Sequence, residues 1–534
     1  MSYRPIVLVI LDGWGLSPSW GGNALAMNNP KEIDSLWKTY PHLILQALSV
    51  VHQGKTAYVG ESRLGHAMIG AGRQVESTFN IIQDKIENNQ FYKNKILNDA
   101  FDWAEKNNSN VHLMGLISEG GVHSHLDHLI ALLNLAARKH CKHVYVDAIT
   151  DGTDSGSTDA LRFIERVENK MHNLRLGEFS SVCGRYFAMD RDDHLDRTNR
   201  YYKLLTEGKG NLKNNIREAV TEAYKKGLND EFIEPTVLET RDHRTHTISK
   251  NDVVICFNFR EDRMRQLSNF FVNDKFRMGF VKPKRVEDIF FATFIDYQKT
   301  LPLKVAFPQQ IYKHTLSEIF SHAGLKQLKL AESEKSTHVT TFFNGGEDEA
   351  FSGEERKIIS SPDVESYDLM PEMSSEALTK TLIQAIKSKK YDFILINFAN
   401  VDMVAHTGNI LAVGRAVQIL DKCVAEIVKE NEKVGGATII TADHGNAEQM
   451  VATQSIRHEN RETLHTLNPV PFILIGNGFK KDLLKSAQGV NSQALAQIIS
   501  AKNSLADVAP TILSLMHLPK PAEMTGKSLL NIME

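Results

Sequence analysis

Short apolar runs rich in Val, Ile and Phe alternate along the chain with longer stretches of helical spacing. That alternation predicts α/β architecture. Strands are expected at "PIVLVIL" (5–11), "NVHLMGLIS" (110–118), "KHVYVDAIT" (142–150), "NDVVICFNF" (251–259) and "RVEDIFFATF" (285–294). Three more are expected at "YDFILINFA" (391–399), "ATIITA" (437–442) and "VPFILIG" (470–476). Their apolarity is continuous and does not alternate, which suits strands covered on both faces and hence mostly parallel sheets. Helical spacing runs through "SHLDHLIALLNLAARKH" (124–140), "ILAVGRAVQILDKCVAEIVKE" (410–430) and "SQALAQIISAK" (492–502).

The residues that follow the strands carry the chemistry. "PIVLVIL" runs into Asp12, "FILINFAN" into Asp402, and "ATIITA" into Asp443-His444. Ligands of open α/β sheets bind outside the carboxyl ends of the strands, so three strands deliver carboxylates to one rim. A second set leads to Glu119-Gly-Gly-Val-His123, to Asp151-Gly-Thr-Asp154 and to Arg260-Glu-Asp-Arg263. The first set is acidic with histidines and comes from both chain ends. The second is more basic and comes from the middle. We therefore expect a metal domain built from residues 1–76 and 311–534, with an anion-binding domain, 77–310, inserted between its halves.

Composition narrows the class without changing this picture. At 534 residues the chain exceeds one ordinary core. Its 42% hydrophobic and 24% charged residues are those of a globular protein, and a net charge of -3 argues against nucleic acid or an anionic membrane as partner. Cys141, Cys183, Cys256 and Cys423 form no C-x-x-C, which suggests a reduced compartment. The first apolar run is stopped by Asp12, too early for a signal peptide, and no run reaches the roughly 20 residues of a bilayer span. A cytoplasmic protein is expected.

Asp402 and His406 are four apart, so one helical turn can aim both at one ion. With His465, Asp12, Asp443 and His444 they make three Asp and three His. Oxygen and nitrogen ligands without thiolate suit Mn, Mg or Zn, with Mn favoured. Six ligands are more than one ion needs, and a pair of ions is the arrangement that clamps phosphoryl oxygens. Ser62, in "YVGESRLGHAMIGAGR", is a nucleophile candidate, with a helix cap as the alternative. "QGKT" (53–56) fails as a P-loop because Ser49 stands where its first glycine belongs, and "GAGR" (70–73), short of the dinucleotide fingerprint, reads as a hinge or a tight packing turn. Arg185, Arg191, Arg260 and Arg263 suit phosphate or carboxylate oxygens, or else a solvated salt-bridged face.

In order, the motifs "VLVILDGWG", "SEGGVHSHLDH", "GRYFAMDRD", "FNFREDR", "ESEKSTHVTTFFNGG", "NVDMVAHTG", "TADHGNAE" and "HTLNPVPF" resemble those of the cofactor-independent (2,3-bisphosphoglycerate-independent) phosphoglycerate mutases of the alkaline phosphatase superfamily. The resemblance implies an alkaline-phosphatase-like parallel-sheet domain holding two Mn(II), with Mg, Co or Zn as alternatives, and an inserted transferase domain that closes with it over the substrate. Asp402, His406 and His465 would hold one ion; Asp12, Ser62, Asp443 and His444 the other. Ser62 would become a transient phosphoserine. His123, Asp154, Arg185, Arg191, Arg260, Arg263 and Lys335 would contact phosphoglycerate, with Asp154 as general acid/base and Lys335 neutralising phosphoryl charge. No 2,3-bisphosphoglycerate, nucleic acid or membrane would be needed, and a monomer is expected. The sequence departs from the family pattern at Gly60-Glu61-Ser62-Arg63-Leu64-Gly65-His66, at Thr153, where the family carries an arginine, and at Glu261, where it carries proline. The alternative reading is a phosphatase, or a mutase of another phosphorylated substrate.

Overall fold

The structure, a computed structural model, describes residues 3–17, 22–47, 61–277, 284–450, 465–480 and 502–533. The chain divides into two compact units, Met1–Glu76 with Gln310–Glu534, and Ser77–Gln309. Each unit is built on one eight-stranded sheet.

In the first unit the strands are β1 (Ile6–Leu11), β2 (His42–Gln46), β11 (Gln327–Glu332), β12 (Glu354–Ile359), β13 (Phe393–Phe398), β14 (Ala437–Thr441), β15 (Val470–Ile475) and β16 (Asn503–Ser504). Their order is β12-β11-β13-β1-β14-β15-β2-β16. β11, β13, β1 and β14 are parallel neighbours, with Leu11 opposite Phe398 and Ile10 opposite Thr441. β1 and β13 are buried at every position, as their unbroken apolar runs require. β15 breaks the parallel pattern by running antiparallel to β14 and β2.

In the second unit the strands are β3 (Val111–Leu116), β4 (Val144–Thr150), β5 (Glu178–Gly184), β6 (Asn211–Lys213), β7 (Thr236–Leu238), β8 (Val253–Cys256), β9 (Phe290–Thr293) and β10 (Lys304–Val305). Their order is β10-β9-β8-β3-β4-β5-β7-β6, and β8, β3, β4 and β5 are parallel neighbours. All eight strands expected from the sequence are present. So are the helices Leu126–Arg138 and Ile410–Lys433; the third expected helix, 492–502, lies almost wholly outside the described residues. Both units have their own apolar core. The cysteines are all free, and three of the four are buried. Among the described residues no helix is long and apolar enough to cross a membrane.

Candidate metal centre and anion-binding cluster

In the first unit, four adjacent parallel strands end on one polar cluster. Asp12 follows β1 directly, Asp443 and His444 follow β14, and Lys335 closes the short turn Ser333–Lys335 after β11. β13 leads into the helix Asn400–Ala405, which carries Asp402 in its first turn and ends at His406. Ser62 is the first residue of the buried helix Ser62–Ala71, whose cap is Glu61. The Ser62 hydroxyl does not cap that helix. Its Oγ lies 2.7 Å from His444 Nε2 and 3.1 Å from Lys335 Nζ. His444 Nδ1 donates to the Gly445 carbonyl (3.1 Å), which leaves Nε2 as the acceptor of the Ser62 proton.

The Lys335 ammonium also donates to Asp12 Oδ1 (2.8 Å) and Asp402 Oδ2 (2.7 Å). His465 Nε2 is 3.2 Å from Asp402 Oδ1 and 3.0 Å from His406 Nε2, and its ring stacks on His444 at 3.8 Å. Two groups have donor atoms close enough for one ion each: Asp402, His444 and His465, and Asp12, Asp443 and His444. His444 is common to both.

The electrostatics fit cations. Three buried carboxylates, Asp12, Asp402 and Asp443, face a single buried ammonium, so two negative charges lack a permanent partner. Asp443 Oδ2 is buried without a well-formed hydrogen bond. Burial, reinforced by Asp443 and Asp402 against Lys335, pushes the Asp12 carboxyl up to about 6. Burial pulls His444 down, but Asp443, Asp402 and Asp12 outweigh it and hold the imidazole above its ordinary value. His465 is driven down to about 4 by burial and by His444. Burial opposes charge on Lys335 too, yet the surrounding carboxylates hold its pKa above the usual lysine value. An oxygen- and nitrogen-rich, carboxylate-heavy pocket of this kind suits a divalent ion.

The second unit repeats the design with opposite charge. The loops after β3, β4, β5 and β8 carry His123, Asp154, Arg185, and Arg260 with Arg263. Arg185 is buried, and its Nη1 bonds Asp151 Oδ1 (2.6 Å) and Asp154 Oδ2 (2.8 Å). His123 Nε2 is 4.0 Å from Asp154 Oδ2, and Nδ1 is 3.9 Å from Asp262 Oδ1. Arg191 and Arg260 are about half exposed and both reach Asp262, at 3.2 Å. Arg263 donates to the Met189 carbonyl at 3.1 Å. Burial and then Arg260 push His123 well below its usual value, so the ring is neutral. Burial raises Asp154 despite Arg185. Arg263 is lowered by burial and by the neighbouring guanidinium groups of Arg185 and Arg191.

A family profile described as "BPG-independent PGAM N-terminus" matches residues 82–299. The 2,3-bisphosphoglycerate-independent phosphoglycerate mutase of Clostridium kluyveri is 43% identical over 531 residues, covering 99% of this chain and all of the relative. That of Methanosarcina acetivorans is 43% identical over 529 residues, 99% and 98% of the two chains. This chain belongs to the 2,3-bisphosphoglycerate-independent phosphoglycerate mutases. A crystal structure of Leishmania mexicana phosphoglycerate mutase at low cobalt concentration is similar throughout, with TM-score 0.79, 26% identity and coverage of 99% and 98%. Members of this mutase family interconvert 3-phosphoglycerate and 2-phosphoglycerate.

Within that family frame, several polar partners escaped the sequence reading. Asp151 anchors Arg185 and also accepts from the backbone N–H groups of Thr153 (3.2 Å) and Asp154 (2.9 Å). Gly152 supplies the left-handed turn between them, at φ 76°. Asn446 donates to Asp402 (2.8 Å), and Asn397 donates to Asp12 (2.8 Å). The Glu448 carboxylate, buried, accepts from Thr466 Oγ1, from Asn468 (2.9 Å) and from the Asn446 amide (2.8 Å), tying the His465 segment to the Asp443-His444 turn. A lone Asn inside the apolar run "FILINF" was the available signal for Asn397. Arg63, one of the departures from the family pattern, pairs with Glu61 at 2.9 Å within its own turn. Thr153 is exposed. Gly60 and "QGKT" lie outside the described residues. In "GAGR", Gly70 and Ala71 end the helix Ser62–Ala71 and Gly72 is its left-handed cap, and a Cβ on Gly70 would meet the Phe343 carbonyl oxygen at 1.9 Å.

Proposed function

We propose that this chain interconverts 3-phosphoglycerate and 2-phosphoglycerate through a phosphoserine at Ser62, using divalent ions and no 2,3-bisphosphoglycerate. The observation that carries the reading is Ser62 Oγ, hydrogen-bonded to His444 and Lys335 among three buried carboxylates. Asp402, His406 and His465 would hold one ion, and Asp12, Ser62, Asp443 and His444 a second. Mn(II) is the first choice, with Mg, Co or Zn as alternatives. Bound there, the ions would lower the pKa of the Ser62 hydroxyl and offset charge on the phosphoryl oxygens.

The chain's own residues do the rest. The guanidinium groups of Arg185, Arg191, Arg260 and Arg263, with His123, bind the carboxylate and phosphate of the substrate. Ser62 Oγ gives up its proton to solvent and attacks phosphorus, the bond to the substrate oxygen breaks, and Lys335 neutralises charge on the transferring group. Asp154, whose raised pKa suits a proton donor, protonates the departing alkoxide. Glycerate reorients, Asp154 takes the proton of the other hydroxyl, and that oxygen recovers the phosphoryl group. In this reading residues 1–76 and 311–534 form a phosphatase-like metal-binding domain, and 77–310 the phosphotransferase domain. The partner is a small molecule, the chain acts as a monomer, and the location is cytoplasmic.

Incubating the Mn(II)-loaded protein with 3-phosphoglycerate alone tests this. Formation of 2-phosphoglycerate is expected, with label trapped on Ser62. Free phosphate as the main product would favour a phosphatase, and turnover only with added 2,3-bisphosphoglycerate would overturn the reading.

A further inference from the structure

His66 takes no part in the chemistry just described, yet it touches the backbone or carboxylate of more than one proposed ligand. The ring is fully buried one turn after Ser62 in the helix Ser62–Ala71. Its Nδ1 lies 2.8 Å from the Ser62 carbonyl oxygen and 3.2 Å from Asp443 Oδ2. Its Nε2 lies 3.0 Å from Asn397 Nδ2, and the same amide nitrogen donates to Asp12 Oδ2 at 2.8 Å. The carboxylate can only accept, so Asn397 turns its NH2 group towards both neighbours. His66 Nε2 is then an acceptor, and the ring proton sits on Nδ1. From there it points at the Ser62 carbonyl, with Asp443 as its second, longer partner. Close packing holds the ring in place: a Cβ on Gly65 would stand 2.4 Å from the Asp443 carbonyl oxygen, and the His338 ring meets His66 edge-on at 5.4 Å.

We infer that His66 is a positioning residue for one of the two proposed ions. Through Nδ1 it holds the Ser62 backbone and stands 3.2 Å from the Asp443 carboxylate, and through Asn397 it holds Asp12. These are three of the four residues proposed for the second ion. The inference rests on the proposed function, and it makes a selective claim. Loss of the Nδ1 donor weakens the Asp12/Ser62/Asp443/His444 ion and spares the other. Partners that orient metal ligands typically cost about 10–100-fold in affinity when removed.

The test is a calorimetric Mn(II) titration of the metal-free full chain and two variants, with thermal melting of each metal-free protein alongside. His66→Asn puts an amide donor where Nδ1 stood; His66→Gln puts its amide near Nε2 instead. The parent should bind two ions. His66→Asn, which keeps the Nδ1 donor but not the Nε2 acceptor, should lose clearly less than His66→Gln, which should lose about 10–100-fold at one ion only. Equal affinities in all three proteins, equal loss at both ions, or a loss in His66→Asn as large as in His66→Gln would each overturn the inference. A parent that binds no divalent ion would instead overturn the proposed function, and this inference with it.

Discussion

Ser62 and His444 share one hydrogen bond, and their chemistry can be separated by substitution. Ser62→Ala removes the nucleophile but leaves six Asp and His ligands, so it should abolish isomerisation while Mn(II) still binds; calorimetry and product analysis read both. Residual isomerisation would mean direct transfer without a phosphoserine. His444 gives a pH prediction. An imidazole binds metal only when neutral. The surrounding carboxylates hold the His444 pKa above the ordinary 6.5, so proton competition sets in at higher pH than for a free imidazole. Mn(II) affinity should therefore rise with pH through neutrality, with a proton released on binding, and level off once pH exceeds that pKa. An affinity flat from pH 6 to 8 would exclude His444 as a ligand. These residues were legible in the sequence because Asp12, Asp402 and Asp443 each end an apolar run. His66 and Asn397 were not. One lies inside a buried helix and the other within a strand, and only the pairing of β1 with β13 brings Asn397 to Asp12.

At the scale of elements, β11 shows why one central strand escaped the apolar pattern. Its sequence "QLKLAE" carries Gln327, Lys329 and Glu332, yet every position is buried. Hidden partners meet the two donors: Gln327 donates to the Ser317 carbonyl (2.9 Å), and Lys329 donates to Ser317 Oγ (2.6 Å) beneath the Phe343 ring at 3.8 Å. Such partners are distant in sequence from the apolar run and leave no local signature. Six residues apart, Lys329 and Lys335 have opposite fates. Burial pulls Lys329 down to about 7, helped by Arg356 and only partly opposed by Glu354. The unfolded chain holds that proton up to about pH 10.4, so between pH 7 and 10 the unfolded state binds more protons than the folded one. Stability from this group therefore rises with pH, by at most about 1.4 kcal/mol per unit, and is lost as pH falls to 7. Lys329→Met should flatten that slope and raise the melting temperature most at or below pH 7. An unchanged slope in the variant would show that Lys329 stays charged in the fold.

The described residues form two sheets and two cores with one shared logic: each unit gathers its polar chemistry at the carboxyl ends of four adjacent parallel strands. The sign differs, three carboxylates around Ser62 in one unit and four guanidinium groups in the other. All seven proposed metal ligands belong to the first unit. Metal should then stabilise the two units unequally, because an ion that binds only the folded state adds about 2.7 kcal/mol at a concentration one hundred times its Kd. Native-state hydrogen exchange with and without Mn(II) reads this strand by strand. Protection is expected to increase in β1, β11, β13 and β14, whose ends carry the ligands and Lys335, with β3, β4, β5 and β8 little changed. Adding 3-phosphoglycerate to the Ser62→Ala protein should then protect the segments after β5 and β8, which carry the guanidinium groups, and those after β3 and β4, which carry His123 and Asp154. Metal protection spread evenly over both units would remove the assignment of the ions to the first, and substrate protection absent from those four loops would remove the arginines from the binding role.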